Sequence, residues 1–233
     1  MFDPETPPEL ETGRWFNSAE PLTLGRLKGK VVVVAAFQMH CPGCLNHALP
    51  QARRLAETFS DEEVAVIGLH TAFEDHDKET PEALEAFVEA HELAFPVAVD
   101  KANGSELPKT MEAYEIRGTP TVLLFDRQGR LRRHYLGLVD DVRLGAEIMA
   151  LAIEARDAPR EHAIAIERRL AATLVDPHHD HEGGCCGGDH HHHGHEHAEG
   201  GCCGGHSHHE QHDHRSGKEK AEGCGDPDCG CRH

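Results

Sequence analysis

The sequence predicts an α/β fold over residues 1–176, a sheet whose strands alternate with helices that cover both of its faces. Three observations predict it. Short apolar, β-branched runs recur along this stretch, each bounded by polar or turn-forming residues. Segments with helical spacing of apolar residues lie between them, and strand–helix–strand alternation gives a sheet covered on both sides. The third observation is a boundary. Of the 22 His and nine Cys in the 233-residue chain, 15 His and seven Cys fall in residues 177–233, where Ala198 and Ala221 are the only apolar residues besides Cys. Such a segment cannot bury enough surface to offset its ordering entropy, so it is expected to be disordered without a ligand. The expected division is therefore a folded domain over 1–176 and a tail over 177–233.

The elements follow in order. Val31-Val32-Val33-Val34-Ala35-Ala36-Phe37 is apolar throughout, the pattern of a strand buried on both faces. A helix is expected over residues 42–58, with Leu45, Leu49 and Leu55 on its apolar side and Pro50 as a kink. Val64 to His70 reads as a second strand, and Asp75 to Thr80 as a polar loop. Pro81 suits a helix start, and Leu84, Phe87 and Val88 give that helix an apolar face. A short strand is expected over Phe95 to Val99 and a helix from Leu107 to Tyr114. Thr121 to Phe125 and Leu131 to Leu136 flank Asp126-Arg127-Gln128-Gly129-Arg130, a hairpin signal. Helices over residues 141–155, with Val142, Leu144, Ile148 and Leu151, and over 160–173 close the domain.

Charge and hydropathy exclude whole classes. A formal charge of −18 argues against nucleic acid and against an anionic membrane surface as partners. No apolar run approaches the ~20 residues needed to cross a bilayer. Met1 to Glu5 is acidic and has no apolar signal region, so the expected location is the cytosol. In that reducing compartment Cys residues act in redox chemistry or metal binding before they act as structural bridges.

Cys41-Pro42-Gly43-Cys44 directly follows the Val31–Phe37 run and opens a helix. Helix N-terminal amides favour a thiolate on the first Cys. A two-residue spacer lets the second sulfur reach back to form a readily exchanged disulfide. Cys41 is thus the expected attacking thiolate and Cys44 the resolving thiol. Gly118-Thr119-Pro120-Thr121 precedes a strand, where a cis proline would lay backbone beside the Cys pair, although the sequence leaves the isomer open.

Together these features resemble the thioredoxin superfamily, most closely its TlpA-like or redoxin branch, over residues ~14–155. The resemblance rests on the apolar strand into Phe37-Gln38-Met39-His40-Cys41-Pro42-Gly43-Cys44, on Pro50, on Tyr114-Glu115-Ile116-Arg117-Gly118-Thr119-Pro120-Thr121 and on the strand pair around Gly129. It implies a thioredoxin-like central mixed sheet and thiol–disulfide exchange with a protein disulfide or thiol. Cys41 and Cys44 would be catalytic, Pro120 would be the cis proline on the substrate side, and the redox domain would need no cofactor.

The sequence departs from the family pattern at several positions. The usual Trp before the first Cys is His40, and the buried acid of thioredoxin falls on Ala35. Where some members carry Glu three residues after the second Cys, this chain has His47. On one helix face with Cys44, His47 would serve as its base, and protonated His40 would stabilise the Cys41 thiolate. Peroxiredoxins need Pro and Thr or Ser seven and three residues before their Cys; here those positions are Val34 and Gln38, so thiol peroxidase activity is disfavoured. Zinc on His40, Cys41, Cys44 and His47 is disfavoured too, because closed zinc sites draw ligands from two separated pairs. Cu(I) binding by the two thiolates remains open. His70, His76, His91, His134 and His162 lack ligand spacing and read as ordinary surface or core residues.

The tail carries an internal repeat. Glu182-Gly183-Gly184-Cys185-Cys186-Gly187-Gly188 recurs 17 residues later as Glu199-Gly200-Gly201-Cys202-Cys203-Gly204-Gly205. The register persists: His191, His192, His195 and His197 match His208, His209, His212 and His214. His178, His179, His181, His190, His193 and His206 add further imidazoles, and Cys224, Cys229, Cys231 and His233 end the chain. Thiolates and imidazoles suit Ni²⁺, Zn²⁺, copper and Co²⁺ and suit Mg²⁺ or Ca²⁺ poorly. The tail resembles the metal-binding extension of SlyD-type prolyl isomerases, which implies nickel first and zinc, copper or cobalt next, without implying isomerase activity.

The expected function is a cytosolic thiol–disulfide oxidoreductase with a metal-binding tail. The alternative is a metal storage protein or metallochaperone whose folded domain mainly docks onto a partner, such as a metalloprotein receiving metal.

Overall fold

The structure, a computed structural model, describes residues 2–74, 78–104, 107–155 and 157–174. Six strands form one mixed sheet. They are β1 (Thr12–Phe16), β2 (Val31–Phe37), β3 (Val64–His70), β4 (Val97–Asp100), β5 (Thr121–Phe125) and β6 (Leu131–Leu136), in the order β1-β4-β3-β2-β5-β6. β2, β3 and β4 run parallel, while β1, β5 and β6 pair antiparallel with their neighbours.

β2 explains the architecture. All seven of its residues are buried, and alternate side chains enter two different cores. Val31, Val33, Ala35 and Phe37 pack with α1 (Leu49–Thr58), α2 (Pro81–Ala90) and α4 (Asp141–Ala152) through Leu49, Leu55, Leu84, Leu144 and Ile148. Val32, Val34 and Ala36 pack on the other face with Met111 of α3 (Lys109–Ala113), with Tyr114 and Ile116, and with Leu10, Leu24 and Leu27 of the N-terminal segment. Each such buried aliphatic side chain contributes about 1.5–3 kcal/mol over an exposed one. Gly68 of β3 is required by this closeness: a Cβ there would lie 3.1 Å from Phe95 and 3.2 Å from Phe37.

The expected α/β fold is present, and β3, β5 and β6 have the expected bounds. Five elements differ. β1 was not foreseen, because of its five residues only Phe16 is buried, so it shows no apolar alternation. The expected helix over 42–58 is present but contains a π-helical turn, Cys44–Ala48, in which the Leu49 amide donates to the Cys44 carbonyl. Pro50 has no amide to offer the carbonyl four residues back, and the wider turn absorbs that loss before α1 begins. β4 starts after Pro96, which has no amide to give a ladder, and not at Phe95; α3 starts after Pro108, because proline disfavours helix in the residue before it. α4 ends at Ala152; its start is capped by Asp140, whose carboxylate accepts from the Val142 and Arg143 amides. α5 (Arg160–Thr173) lies as expected. Among the described residues no helix is long and apolar enough to cross a membrane.

The topology delivers three chain segments to one edge. Phe37 at the end of β2 pairs with His70 at the end of β3, and Ala36 pairs with Thr121 at the start of β5. The Cys41 loop, His70 and the Pro120 segment therefore meet at the C-terminal ends of the parallel strands, the usual position for a site in an α/β sheet.

Candidate active site

Cys41 and Cys44 are both thiols, the first partly buried and the second fully buried. The Cys44 amide donates to Cys41 Sγ at 3.2 Å, so the turn already offers a hydrogen bond to a sulfur anion. Burial pushes the Cys44 thiol up to about 12, reinforced by its hydrogen bond with Cys41. At neutral pH Cys44 therefore stays protonated, leaving Cys41 as the accessible nucleophile.

The Thr119–Pro120 bond is cis, which resolves the isomer that the sequence left open. The Thr119 carbonyl lies 3.5 Å from Cys41 Sγ. Gly43 lets the two segments touch, since a Cβ there would stand 3.2 Å from Pro120 Cδ. Gln38 fixes the approach from β2: its Oε1 accepts from the Thr119 hydroxyl at 3.1 Å, and its carbonyl accepts from the Cys41 amide at 3.4 Å. Cys41, Cys44 and Pro120 are thus brought together as expected.

His47 does not join them. It is exposed on the π-helical turn while Cys44 is fully buried. A π turn advances a smaller angle per residue than an α turn, so residues three apart no longer share a face. His47 instead lines a separate cavity of about 330 Å³ with Gln51, Arg54 and Val139. Among the described residues no hydrogen bond joins His47 to Cys44.

His40 is beside Cys41, held by a residue the sequence reading placed in an unremarkable loop. Glu79 is buried, its side chain only 1% exposed. Its Oε1 accepts from His40 Nδ1 at 2.7 Å and from the His40 amide at 3.1 Å. Its Oε2 accepts from His70 Nε2 at 2.6 Å and from the Met39 amide at 2.9 Å. Four donors fill the acceptor capacity of one carboxylate. Burial alone would raise this acid, but the hydrogen bonds from His70, Met39 and His40 outweigh it and hold Glu79 down to about 2. His70, read from sequence as an ordinary residue, is the fully buried end of this chain of contacts. The one signal that could have pointed to it is a polar ring closing an otherwise apolar strand.

A cavity of about 390 Å³ opens over Cys41, lined by Gln38, His40, Glu74, Glu79, Arg117 and Thr119 among others. Among the described residues no group of three or more His, Cys, Asp or Glu is placed to hold a metal ion. The expected tail ligands, from His178 to His233, lie outside the described residues.

Residues 8–134, more than half of the chain, match the AhpC/TSA family. The crystal structure of a thioredoxin-like superfamily protein is 50% identical and aligns with a TM-score of 0.63 over 65% of this chain and 97% of that one. A thiol-disulfide isomerase from Corynebacterium glutamicum is 45% identical, with a TM-score of 0.62 over 65% of this chain and 98% of that one. The thiol-disulfide oxidoreductase ResA of Bacillus cereus is 30% identical over 116 residues, 50% of this chain and 60% of that protein. The chain spans from 9% to 60% of the length of the curated relatives it matches.

Proposed function

From its membership of the AhpC/TSA family of the thioredoxin-like superfamily, to which the chain belongs, we propose that this protein is a thiol–disulfide oxidoreductase acting on protein disulfides or thiols. One observation carries the reading: a partly exposed Cys41 sits over a buried Cys44 that is held protonated, with the Cys44 amide on the Cys41 sulfur. The Cys41 thiolate attacks a substrate disulfide, a Cys41–substrate bond forms as the substrate S–S bond breaks, and the departing thiolate takes a proton. Once Cys41 is in that mixed disulfide, its hydrogen bond and charge no longer hold the proton on Cys44, and only burial does. Cys44 then forms the Cys41–Cys44 bond as the Cys41–substrate bond breaks, and the departing substrate thiolate takes the Cys44 proton. The dithiol is oxidised as the substrate is reduced.

The tail of residues 177–233 is proposed as a labile metal-binding segment, for Ni²⁺ first and Zn²⁺, copper or Co²⁺ next. Its repeated Cys-Cys-Gly-Gly blocks between His clusters support this, since these donors suit such ions and Gly permits several ligand sets. Binding is expected to weaken as pH falls through about 6.5 and imidazoles protonate. A cytosolic location is part of the same proposal, because both the dithiol and the tail thiols need a reducing compartment. The same repeat supports the second reading, a metal storage or delivery protein whose folded domain docks onto a partner.

Experiments on the full chain separate the two. The reduced wild type should reduce a protein disulfide, Cys41→Ser should not, and Cys44→Ser should trap a mixed disulfide. Turnover retained in Cys41→Ser overturns the oxidoreductase reading. Calorimetric titration with Ni²⁺, compared with a variant carrying Ser at all seven tail cysteines, reads the tail; equal uptake by both removes the thiolates from the proposal.

A further inference from the structure

We propose that Glu79 is a positioning residue for the redox site, and that with His40 it forms a proton relay serving Cys41. The inference rests on the thiol–disulfide reading above and adds the residues that move the proton. Glu79 Oε1 lies 2.7 Å from His40 Nδ1, which fixes that nitrogen as the N–H donor and sets the ring's tautomer. Nε2 has no partner among the described residues, and the ring is 55% exposed on the cavity it shares with Cys41. His40 and Cys41 line one cavity, with no direct hydrogen bond between them among the described residues, so a carboxylate-oriented base reaches the nucleophile through cavity water.

A purely structural role explains the geometry less well. Tying down the loop needs only the two amides of Met39 and His40, which any neutral acceptor could satisfy. Two of the four donors that hold the Glu79 charge are imidazoles, and no Arg or Lys pairs it among the described residues. His70 closes the inner side. Its Nε2 donates to Oε2, and its Nδ1 has no partner among the described residues, which leaves the proton on Nε2 and directs the relay outward through His40. The charged or titratable groups around the pair are His70 from β3, Cys41 and Cys44 from the active loop, and Glu74 and Arg117 across the cavity. Lys78 precedes Glu79, and His91 of the helix end stacks on Phe87, whose ring packs on Phe37.

The step balances. Cys41 S–H passes its proton through one water of the shared cavity to His40 Nε2 and keeps the electron pair as thiolate. The thiolate forms the new S–S bond as the bond in the substrate disulfide breaks, and the departing sulfur takes the proton back from Nε2.

The test uses the reduced full chain. Alkylation of Cys41 by iodoacetamide is followed on its own peptide by mass spectrometry across pH, with melting temperatures in parallel, for wild type, Glu79→Gln, His40→Asn and the double variant. Glu79→Gln should slow Cys41 at neutral pH about tenfold and change the pH profile, His40→Asn should do the same, and the double variant should be no slower than His40→Asn alone. A profile of Glu79→Gln that superimposes on wild type, or effects that multiply in the double variant, would overturn the relay, since a merely structural Glu79 would act in either background. If Glu79→Gln fails to fold, ¹⁵N NMR of wild-type His40 decides: a proton on Nδ1 supports the proposal and a neutral Nε2–H tautomer sinks it. Disulfide exchange on the same samples keeps the two readings apart, because a wild type without exchange defeats the proposed function while the alkylation cycle still reports on the relay.

Discussion

The two ends of β5 both bury carboxylates, but they neutralise them differently. At the far end from the cysteines, Asp126 accepts from Arg130 Nε at 2.7 Å and from Arg132 Nη1 at 2.9 Å, and Arg132 also reaches Glu154 at 3.4 Å and Glu167 at 2.8 Å. Asp126 closes the hairpin as well, accepting from the Gln128 and Arg130 amides. A guanidinium stays charged at every pH a protein survives, so these pairs are permanent. At the cysteine end, Glu79 is matched by amides and imidazoles. Imidazoles can gain and lose protons near neutrality. One cluster fixes a hairpin to α5 and to the chain just after α4, and the other keeps a proton available beside a thiol. The identity of the cation, more than burial of the acid, distinguishes a scaffold from a site.

Substitutions at the two ends should therefore separate chemistry from stability. The largest effect is expected from Cys41→Ser, which should lower disulfide exchange by at least about a thousandfold, roughly 4 kcal/mol of barrier, without moving the denaturation midpoint. Arg132→Ala should do the reverse. It strips a buried partner from Asp126 and Glu154 and should cost about 3–5 kcal/mol in chemical denaturation, while exchange per folded molecule is unchanged. Exchange that falls in Arg132→Ala with the fold intact would erase the distinction between the ends.

Acid unfolding sharpens it further. Folded Glu79 stays ionised down to about 2, against 4.5 as the ordinary value. The stabilisation, about 3 kcal/mol, is present in full above 4.5 and is lost as pH falls through about 2. The stability difference between wild type and Glu79→Gln should therefore shrink across that window. A difference that is constant from pH 5 to pH 2 would show that the charge of Glu79 contributes nothing.

What the sequence disclosed follows the same physical line. β2 and β3 were legible because strands buried on both faces read as unbroken apolar runs, and the β5–β6 hairpin because Asp126 and Gly129 mark its turn. The Cys pair was legible because its chemistry needs neighbours in sequence. β1 was not, since an edge strand with one buried residue leaves no periodic trace. The π-helical turn was not, because Pro50 announces a missing amide without saying how the chain adapts. Glu79 was the furthest from view: its partners are nine and 39 residues away in sequence, and only the pairing of β2 with β3 brings them together.

The smallest expected effects come from one substitution made at two glycines. Gly145 lies inside α4 with nothing within 4 Å of where a Cβ would be, so Gly145→Ala gains helix propensity at no steric cost. It should raise stability by about 1 kcal/mol and leave exchange untouched. Gly43 also has helical dihedrals, φ −65° and ψ −34°, so alanine meets no backbone strain there. Its Cβ would nevertheless stand 3.2 Å from Pro120 Cδ and 4.0 Å from Cys41 Sγ, forcing the Pro120 segment a few tenths of an ångström from the thiol. The propensity gain and the steric cost should nearly cancel in the denaturation midpoint, while disulfide exchange slows several-fold because the wall beside Cys41 has moved. Equal exchange rates for Gly43→Ala and wild type would mean that the close approach of Pro120 to the Cys41 turn is packing alone.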